Sequence, residues 1–198
     1  ISLGLVGSEM CIRDRYYTVP PESEAVLQRF GRYTETVKPG LHFKLPFGID
    51  EATIVPVRRM MKLEFGFSSP NYTNPYQRGE EPEKERDMVT GDLNAAEVEW
   101  VVQYSIADPV RYLFHVRNPG ETLRDIGESA MCEVLGDRTI DEVLTTGRLE
   151  IEMAALERLS QINEQLKFGI RIEQIQLKDI YPPRPVQASF DDVTRAKQ

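Results

Sequence analysis

From Asn94 to Ile106 apolar and polar residues alternate. Ala96, Val98, Trp100, Val102, Tyr104 and Ile106 hold the even positions, and Glu97, Glu99, Gln103 and Ser105 stand among the odd ones. A period of two puts each set on its own face of a strand, so this stretch reads as a strand with one core face and one wet face. At ~3.3 Å per residue it would span roughly 40 Å, long for a strand, which places it at the centre of its sheet. Trp100, the only tryptophan, lies at its middle. Turn chemistry in Met88-Val-Thr-Gly-Asp92 precedes it. Asp108-Pro109 ends it, because the residue before a proline is pushed out of helical geometry and proline suits a helix start.

Upstream, strand patterns run over Tyr16–Val19, Glu24–Phe30 and Leu41–Leu45, the last with Leu41, Phe43 and Leu45 on one side and His42 opposite. Pro20-Pro21, Gly31 and Pro39-Gly40 mark the turns. Ala52–Phe67 continues as strand, with Val55, Val57, Met61, Leu63, Phe65 and Phe67 sharing one parity. Pro56 implies an edge or a bulge there. Arg59 breaks the apolar series, as either an end-of-strand charge or an inward one. Residues 68–87 carry three prolines and an acidic run with no core residues except tyrosines, which predicts a mobile surface excursion.

After the long strand the period changes to 3.6. Asp108 caps a short helix through Val116 with Val110, Leu113 and Phe114 turned inward. Asn118-Pro119 opens a second helix, striped by Leu123, Ile126, Ala130 and Val134 and stopped at Gly136, with Cys132 off the stripe. Thr139 and Glu142 form a capping box for a short helix that Gly147 ends. Arg148–Lys167 is the strongest helix, with Leu149, Met153, Leu156, Leu159, Ile162 and Leu166 as its stripe and Gly169 as its stop. Ile170 and Ile172 then share one strand parity and Ile175 and Leu177 the other, a switch that predicts a bulge near Glu173-Gln174. Beyond the stiff Tyr181-Pro-Pro-Arg-Pro185 connector, Val186, Phe190 and Val193 recur at i, i+4, i+7, the start of an amphipathic helix still running at Gln198.

These elements predict an α+β fold: a strand-rich part over 16–107, a helix-rich part over 108–183, and an amphipathic helix from 184. Residues 1–15 show neither a sustained period nor a signal-peptide layout and read as a non-native segment standing where the natural N-terminus is missing. At 198 residues the chain buries about 70% of its extended surface on folding and needs no staple.

A net charge of −8 and the absence of a basic cluster beyond Arg58-Arg59 argue against nucleic-acid binding, which needs a basic face. The two cysteines, Cys11 and Cys132, form neither a disulfide framework nor a metal-ligand spacing. No apolar run approaches the roughly 20 residues that cross a bilayer. His42 reads as a solvated strand residue, and neither it nor His115 sits in a motif that pairs it with a serine or cysteine nucleophile. Gly-x-Ser-x-Gly, His-Glu-x-x-His and a phosphate-cradling glycine loop are all missing. Met153 reads as core filler. No catalytic, metal or cofactor residue is therefore assigned, and the assembly residues singled out are Val186, Phe190 and Val193.

Several short motifs in fixed order resemble the SPFH, or band 7, superfamily of stomatins, prohibitins, flotillins and HflK/HflC proteins. They are Val19-Pro-Pro-Glu22, Val26-Leu-Gln-Arg-Phe-Gly31, Lys38-Pro-Gly-Leu-His-Phe-Lys-Leu-Pro46, Val89-Thr-Gly-Asp92, Val102-Gln-Tyr104, Asp108-Pro109 and Tyr181-Pro-Pro183. The Thr-Gly-Asp turn, Tyr112-Leu-Phe114 and the Val186–Ala196 segment look most like the bacterial HflK branch, although Cys132 stands where a basic residue is expected.

The resemblance implies an SPFH domain between a single transmembrane anchor and a long coiled coil, on the periplasmic side of the bacterial inner membrane. It implies a non-catalytic scaffold without cofactor. That scaffold would assemble as a hetero-oligomer with an HflC-like subunit around the ATP-dependent membrane protease FtsH, modulate it, and meet lipid through the missing anchor. A stomatin-like lipid-organising scaffold is the nearer alternative, and a hydrolase or its activator subunit the more distant one. Composition alone equally allows a peptide-binding module.

Overall fold

The computed structural model describes residues 16–46, 48–67, 87–144 and 147–181. Residues 1–15, the 68–86 stretch and Val186, Phe190 and Val193 lie outside it. Among the described residues the order is β1 (Tyr16–Val19), β2 (Glu24–Arg29), β3 (Arg32–Val37), β4 (Gly40–Phe43), β5 (Asp50–Val55), β6 (Met61–Phe65), β7 (Asp87–Val89) and β8 (Ala95–Ile106). Helices α1 (Pro109–Phe114), α2 (Pro119–Gly136), α3 (Ile140–Leu144) and α4 (Arg148–Leu166) follow, and β9 (Ile170–Tyr181) returns to the sheet.

β8 is the central strand of its sheet. It pairs antiparallel with β6, β7 and β9, in registers that set Phe65 opposite Trp100, Met88 opposite Ala96 and Ile180 opposite Val98. All six even-position residues are buried, as the alternation predicts. β1 and β4 form a separate two-stranded ribbon, and β3-β2-β5 a three-stranded sheet. In β9 the register to β8 shifts twice, leaving Glu173 and Lys178 without partners in the ladder. The first is the expected bulge. The second adds the same local twist nearer the strand end.

α2 lies over the Trp100 face. Phe65 and Trp100 stack at 3.7 Å between centroids and 7° between planes, and the Arg124 guanidinium sits 5.2 Å from the Phe65 centroid. Gly127 permits this approach, because a Cβ there would stand 3.0 Å from Phe65 Cζ and 3.3 Å from Trp100 Cη2. Stacked buried aromatics add about 0.5–1.5 kcal/mol beyond the area they bury.

α4 covers the free edge of β9. Glu152 Oε1 accepts the Leu177 N–H at 2.8 Å, and Asn163 Nδ2 donates to the Ile170 carbonyl at 3.0 Å. An edge strand whose outward backbone groups are taken up by a helix offers little template for another chain.

The helix ends follow their local chemistry. Asp108 Oδ1 accepts from the Val110 and Arg111 N–H groups at 3.0 and 3.1 Å, and Glu142 Oε2 accepts the Thr139 N–H at 3.1 Å. α4 ends with Lys167 in the left-handed conformation, φ 49°. Gly169 serves another purpose than a stop: with φ +78° it lets its backbone press on the start of α1, where a Cβ would meet the Asp108 carbonyl at 2.6 Å.

Several expectations change. α4 is rotated, so that Ile151, Ala155 and Leu159 are its buried residues, while Leu149, Met153 and Leu166 are exposed and Met153 is not core. In α1 the buried residues are Pro109 and Tyr112, Leu113 packs partly buried against the core as expected, Phe114 is exposed, and the helix ends there and not at Val116. Leu41, Phe43 and Leu45 do share a side, but an exposed one. Met88 and Val89 belong to β7, and the 52–67 strand is two strands in different sheets. Arg59, between them, is exposed. β3 went unread because an edge strand exposed over most of its length has no apolar face to betray it.

Candidate functional site

The polar constellations of the fold hold backbone together. In the Thr-Gly-Asp turn, Thr90 Oγ1 lies 2.6 Å from Asp92 Oδ1, and Asn94 Nδ2 donates to Asp92 Oδ2 at 2.7 Å. The Thr90 hydroxyl, then the Asn94 amide and the Ile140 N–H, hold the Asp92 carboxyl below its ordinary range, against the desolvation that raises it. The Ile140 N–H is 3.3 Å from Asp92 Oδ1, so Asp92 caps α3 from 48 positions upstream. The Gly91 N–H donates to the Arg138 carbonyl at 2.8 Å, which clasps the turn to the α2–α3 junction. The motif was legible as a turn. Nothing local in the sequence marks it as the cap of a distant helix.

Arg29 and Asp50 form a second constellation, bidentate at 2.8 and 3.2 Å, with the Leu45 N–H donating to Asp50 Oδ2 at 3.0 Å. The Arg29 hydrogen bond, then the Leu45 N–H, lower the Asp50 pKa. This ties β2 and β5 to the end of β4.

The two histidines and Cys132 are not brought together in any bonded arrangement. His42 Nε2 donates to the Lys38 carbonyl at 2.7 Å, with its ring 5.9 Å from that of Tyr17. His115 is the C-cap of α1, its backbone N–H on the Arg111 carbonyl. Partial burial, then the Glu128 carboxylate, raise the Cys132 thiol pKa, which disfavours the reactive thiolate. Among the described residues, no three His, Cys, Asp or Glu side chains stand where they could hold a metal, and no helix is long and apolar enough to cross a membrane.

Among the described residues, apolar side chains stand exposed in several places, the β1–β4 ribbon and α4 among them. On the β1–β4 ribbon, Tyr16 pairs with Phe43 and Thr18 with Leu41, so the four share a face. Tyr16, Leu41 and Phe43 are 45%, 60% and 76% exposed there. On α4, Leu149 and Met153 are 67% and 64% exposed beside a groove of about 660 Å³. The alternation puts Leu41 and Phe43 on one side of a strand and the helical period puts Leu149 in a stripe with Met153, which reads as core. Periodicity reports that residues share a face, not what that face meets.

An antiparallel sheet around one long strand, with helices laid on its face, makes the described domain an α+β one. The SPFH domain / Band 7 family matches residues 17–198, and the chain belongs to that family. Among curated relatives, Protein HflK of Treponema pallidum (strain Nichols) is 35% identical over 182 residues, 91% of this chain and 55% of the relative. Protein HflK of Borreliella burgdorferi is 35% identical over 184 residues, 92% of this chain and 58% of its own length. Modulator of FtsH protease HflK of Escherichia coli (strain K12) is 31% identical over 183 residues, 92% of this chain and 39% of the relative. The chain thus spans about half the length, or less, of the curated relatives it matches.

Proposed function

We propose that this chain is the SPFH domain of a non-catalytic, membrane-anchored scaffold subunit. The subunit assembles with an HflC-like partner and modulates an FtsH-type ATP-dependent protease at the bacterial inner membrane, with this domain on the periplasmic side. The observation that carries the reading is the likeness, along 92% of the chain, to a relative named for modulating FtsH protease. Two features of the structure support it. The buried and half-buried carboxylates serve as backbone caps and ion-pair partners, and the exposed face of Tyr16, Leu41 and Phe43 suits a domain held against lipid. That ribbon also suits a stomatin-like lipid scaffold; the name of the Escherichia coli relative favours the protease modulator.

The test is reconstitution of the full-length protein with an HflC-like subunit and an FtsH-type protease in liposomes, read as turnover of a membrane substrate. The assembly should alter turnover. His115→Ala and Cys132→Ser should leave that effect intact, while Leu41→Asp with Phe43→Asp should weaken it. Loss of the effect in either single variant, with folding and assembly unchanged, would show that a reactive side chain takes part and would overturn the reading.

A further inference from the structure

Three elements meet at Gly169. Its carbonyl accepts the Ala107 and Asp108 N–H groups, both at 2.9 Å, and a Cβ on it would stand 2.7 Å from that of Arg111. The bare backbone thus seats the start of β9 against α1, directly after α4 has ended at its C-cap, Lys167. Arg111 from α1, Lys167 from the end of α4 and Arg171 from β9 are brought by this junction to one open cavity of about 470 Å³. Cavities that hold small ligands run from about 300 to 1,000 Å³.

The charge there is opposite to that of the chain, which carries a net −8. A cation complements the negative end of a helix, which accounts for Lys167 on α4 and Arg111 on α1. It does not account for Arg171 on the strand, nor for all three lining one cavity. Asp108 meets Arg111 at Nε, 3.2 Å away, and among the described residues no carboxylate pairs with Lys167 or Arg171. Two acceptors share the cavity wall. One is the Glu164 carboxylate; the other is Asn163, whose Nδ2 donates to the Ile170 carbonyl and whose buried Oδ1 finds no donor among the described residues.

Three cations from three elements exceed what a carboxylate needs, since one guanidinium fork engages both of its oxygens. They suit a phosphate, whose tetrahedral oxygens point several ways. Glu164 would repel a bare anion, and Asn163 Oδ1 would gain nothing from one, so the ligand must carry donors as well. We infer that this cavity binds the phosphate ester of a polyol, with the phosphate on Arg111, Lys167 and Arg171 and the hydroxyls on Glu164 and Asn163. A free glycerol or sugar phosphate and the headgroup of a phosphoglycerol lipid share that chemistry. The inference does not rest on the protease reading.

The test titrates the 198-residue chain with glycerol 3-phosphate by calorimetry. Lys167→Gln and Arg171→Gln, both at exposed positions, should each weaken binding about tenfold. Arg32→Gln, the same loss of charge on exposed β3, should change it by less than about twofold. Glu164→Ala should strengthen binding of inorganic phosphate and erase the preference for glycerol 3-phosphate over it. Vesicles separate the two sources. Sedimentation with phosphatidylglycerol vesicles beyond that with phosphatidylcholine ones, reversed by glycerol 3-phosphate and lost in Arg171→Gln, assigns the cavity to a lipid headgroup. Glycerol 3-phosphate binding without that sedimentation assigns it to a free ester. No binding of either at about 10 mM, equal weakening in Arg32→Gln, or an unchanged preference in Glu164→Ala would overturn the proposal.

Discussion

Gly91→Ala should cost the domain about 1–4 kcal/mol, through space and not through conformation. Gly91 is not among the glycines with positive φ. A Cβ there would stand 2.5 Å from the Gly136 carbonyl oxygen and 3.3 Å from that of Arg138, both backbone atoms that no rotamer change moves aside. Carbon–oxygen contacts settle at about 3.3–3.6 Å, so the turn must retreat by roughly 0.8 Å. Retreat stretches the 2.8 Å bond from the Gly91 N–H to Arg138 and draws Asp92 off the Ile140 N–H. Overpacking costs about 1–3 kcal/mol, and a lost hydrogen bond about 0.5–1.5. The lower entropy of an unfolded chain with alanine offsets about 0.4–1 kcal/mol of this. Urea titration read by far-UV circular dichroism gives the difference directly, and the midpoint of thermal melting should fall by about 2–4 °C for each kcal/mol. Gly136→Ala is the matched control: nothing lies within 4 Å of its Cβ, and alanine favours the last residue of α2. A Gly91→Ala protein within about 0.5 kcal/mol of the parent, or an equal loss in Gly136→Ala, would refute the clasp between turn and helix junction.

Trp100→Ala should cost about 3–5 kcal/mol in the same titration, since it empties a buried site and unstacks Phe65; in the parent, the single buried indole should red-shift its emission on unfolding. Glu152→Ala should cost about 1–3 kcal/mol by leaving the Leu177 N–H at the β9 edge without its acceptor, and hydrogen exchange at Leu177 should rise selectively. Asp50→Asn should destabilise the domain at neutral pH and change its acid response. The folded pKa of Asp50 lies below its ordinary 3.8, so its contribution is full above the unfolded value and disappears as pH falls through the folded one. Parent and variant stabilities should therefore converge below about pH 3.8, and a constant gap across that range would contradict the assignment.

The local chemistry of this chain is legible without coordinates. The period of two across Asn94–Ile106 names six of the seven buried side chains of β8, because a strand's two faces are set by backbone geometry alone; it misses Val101, buried on the opposite face. Asp108 as a cap and the Thr139–Glu142 pairing are contacts over a few residues, and their residue types suffice to read them; the bulge at Glu173 shows locally as a switch of apolar parity, although the pairing it interrupts is with distant β8. Order and spacing of short motifs also carried the family. Which side of an element meets the core was another matter. α4 has apolar residues around more than half its circumference, and its rotation was decided by Glu152 and Asn163 reaching for the edge of β9 and by Ile151 and Leu159 entering the core. Leu41 and Phe43 alternate as core residues do, yet their ribbon pairs only with β1 and keeps that face in solvent. Asp92 caps a helix 48 positions away, a bond that exists only once β7, β8 and the α2–α3 junction have been packed together. Periodicity is written residue by residue along the chain; what each face meets is a property of how distant segments share space, and that was settled only by the tertiary structure.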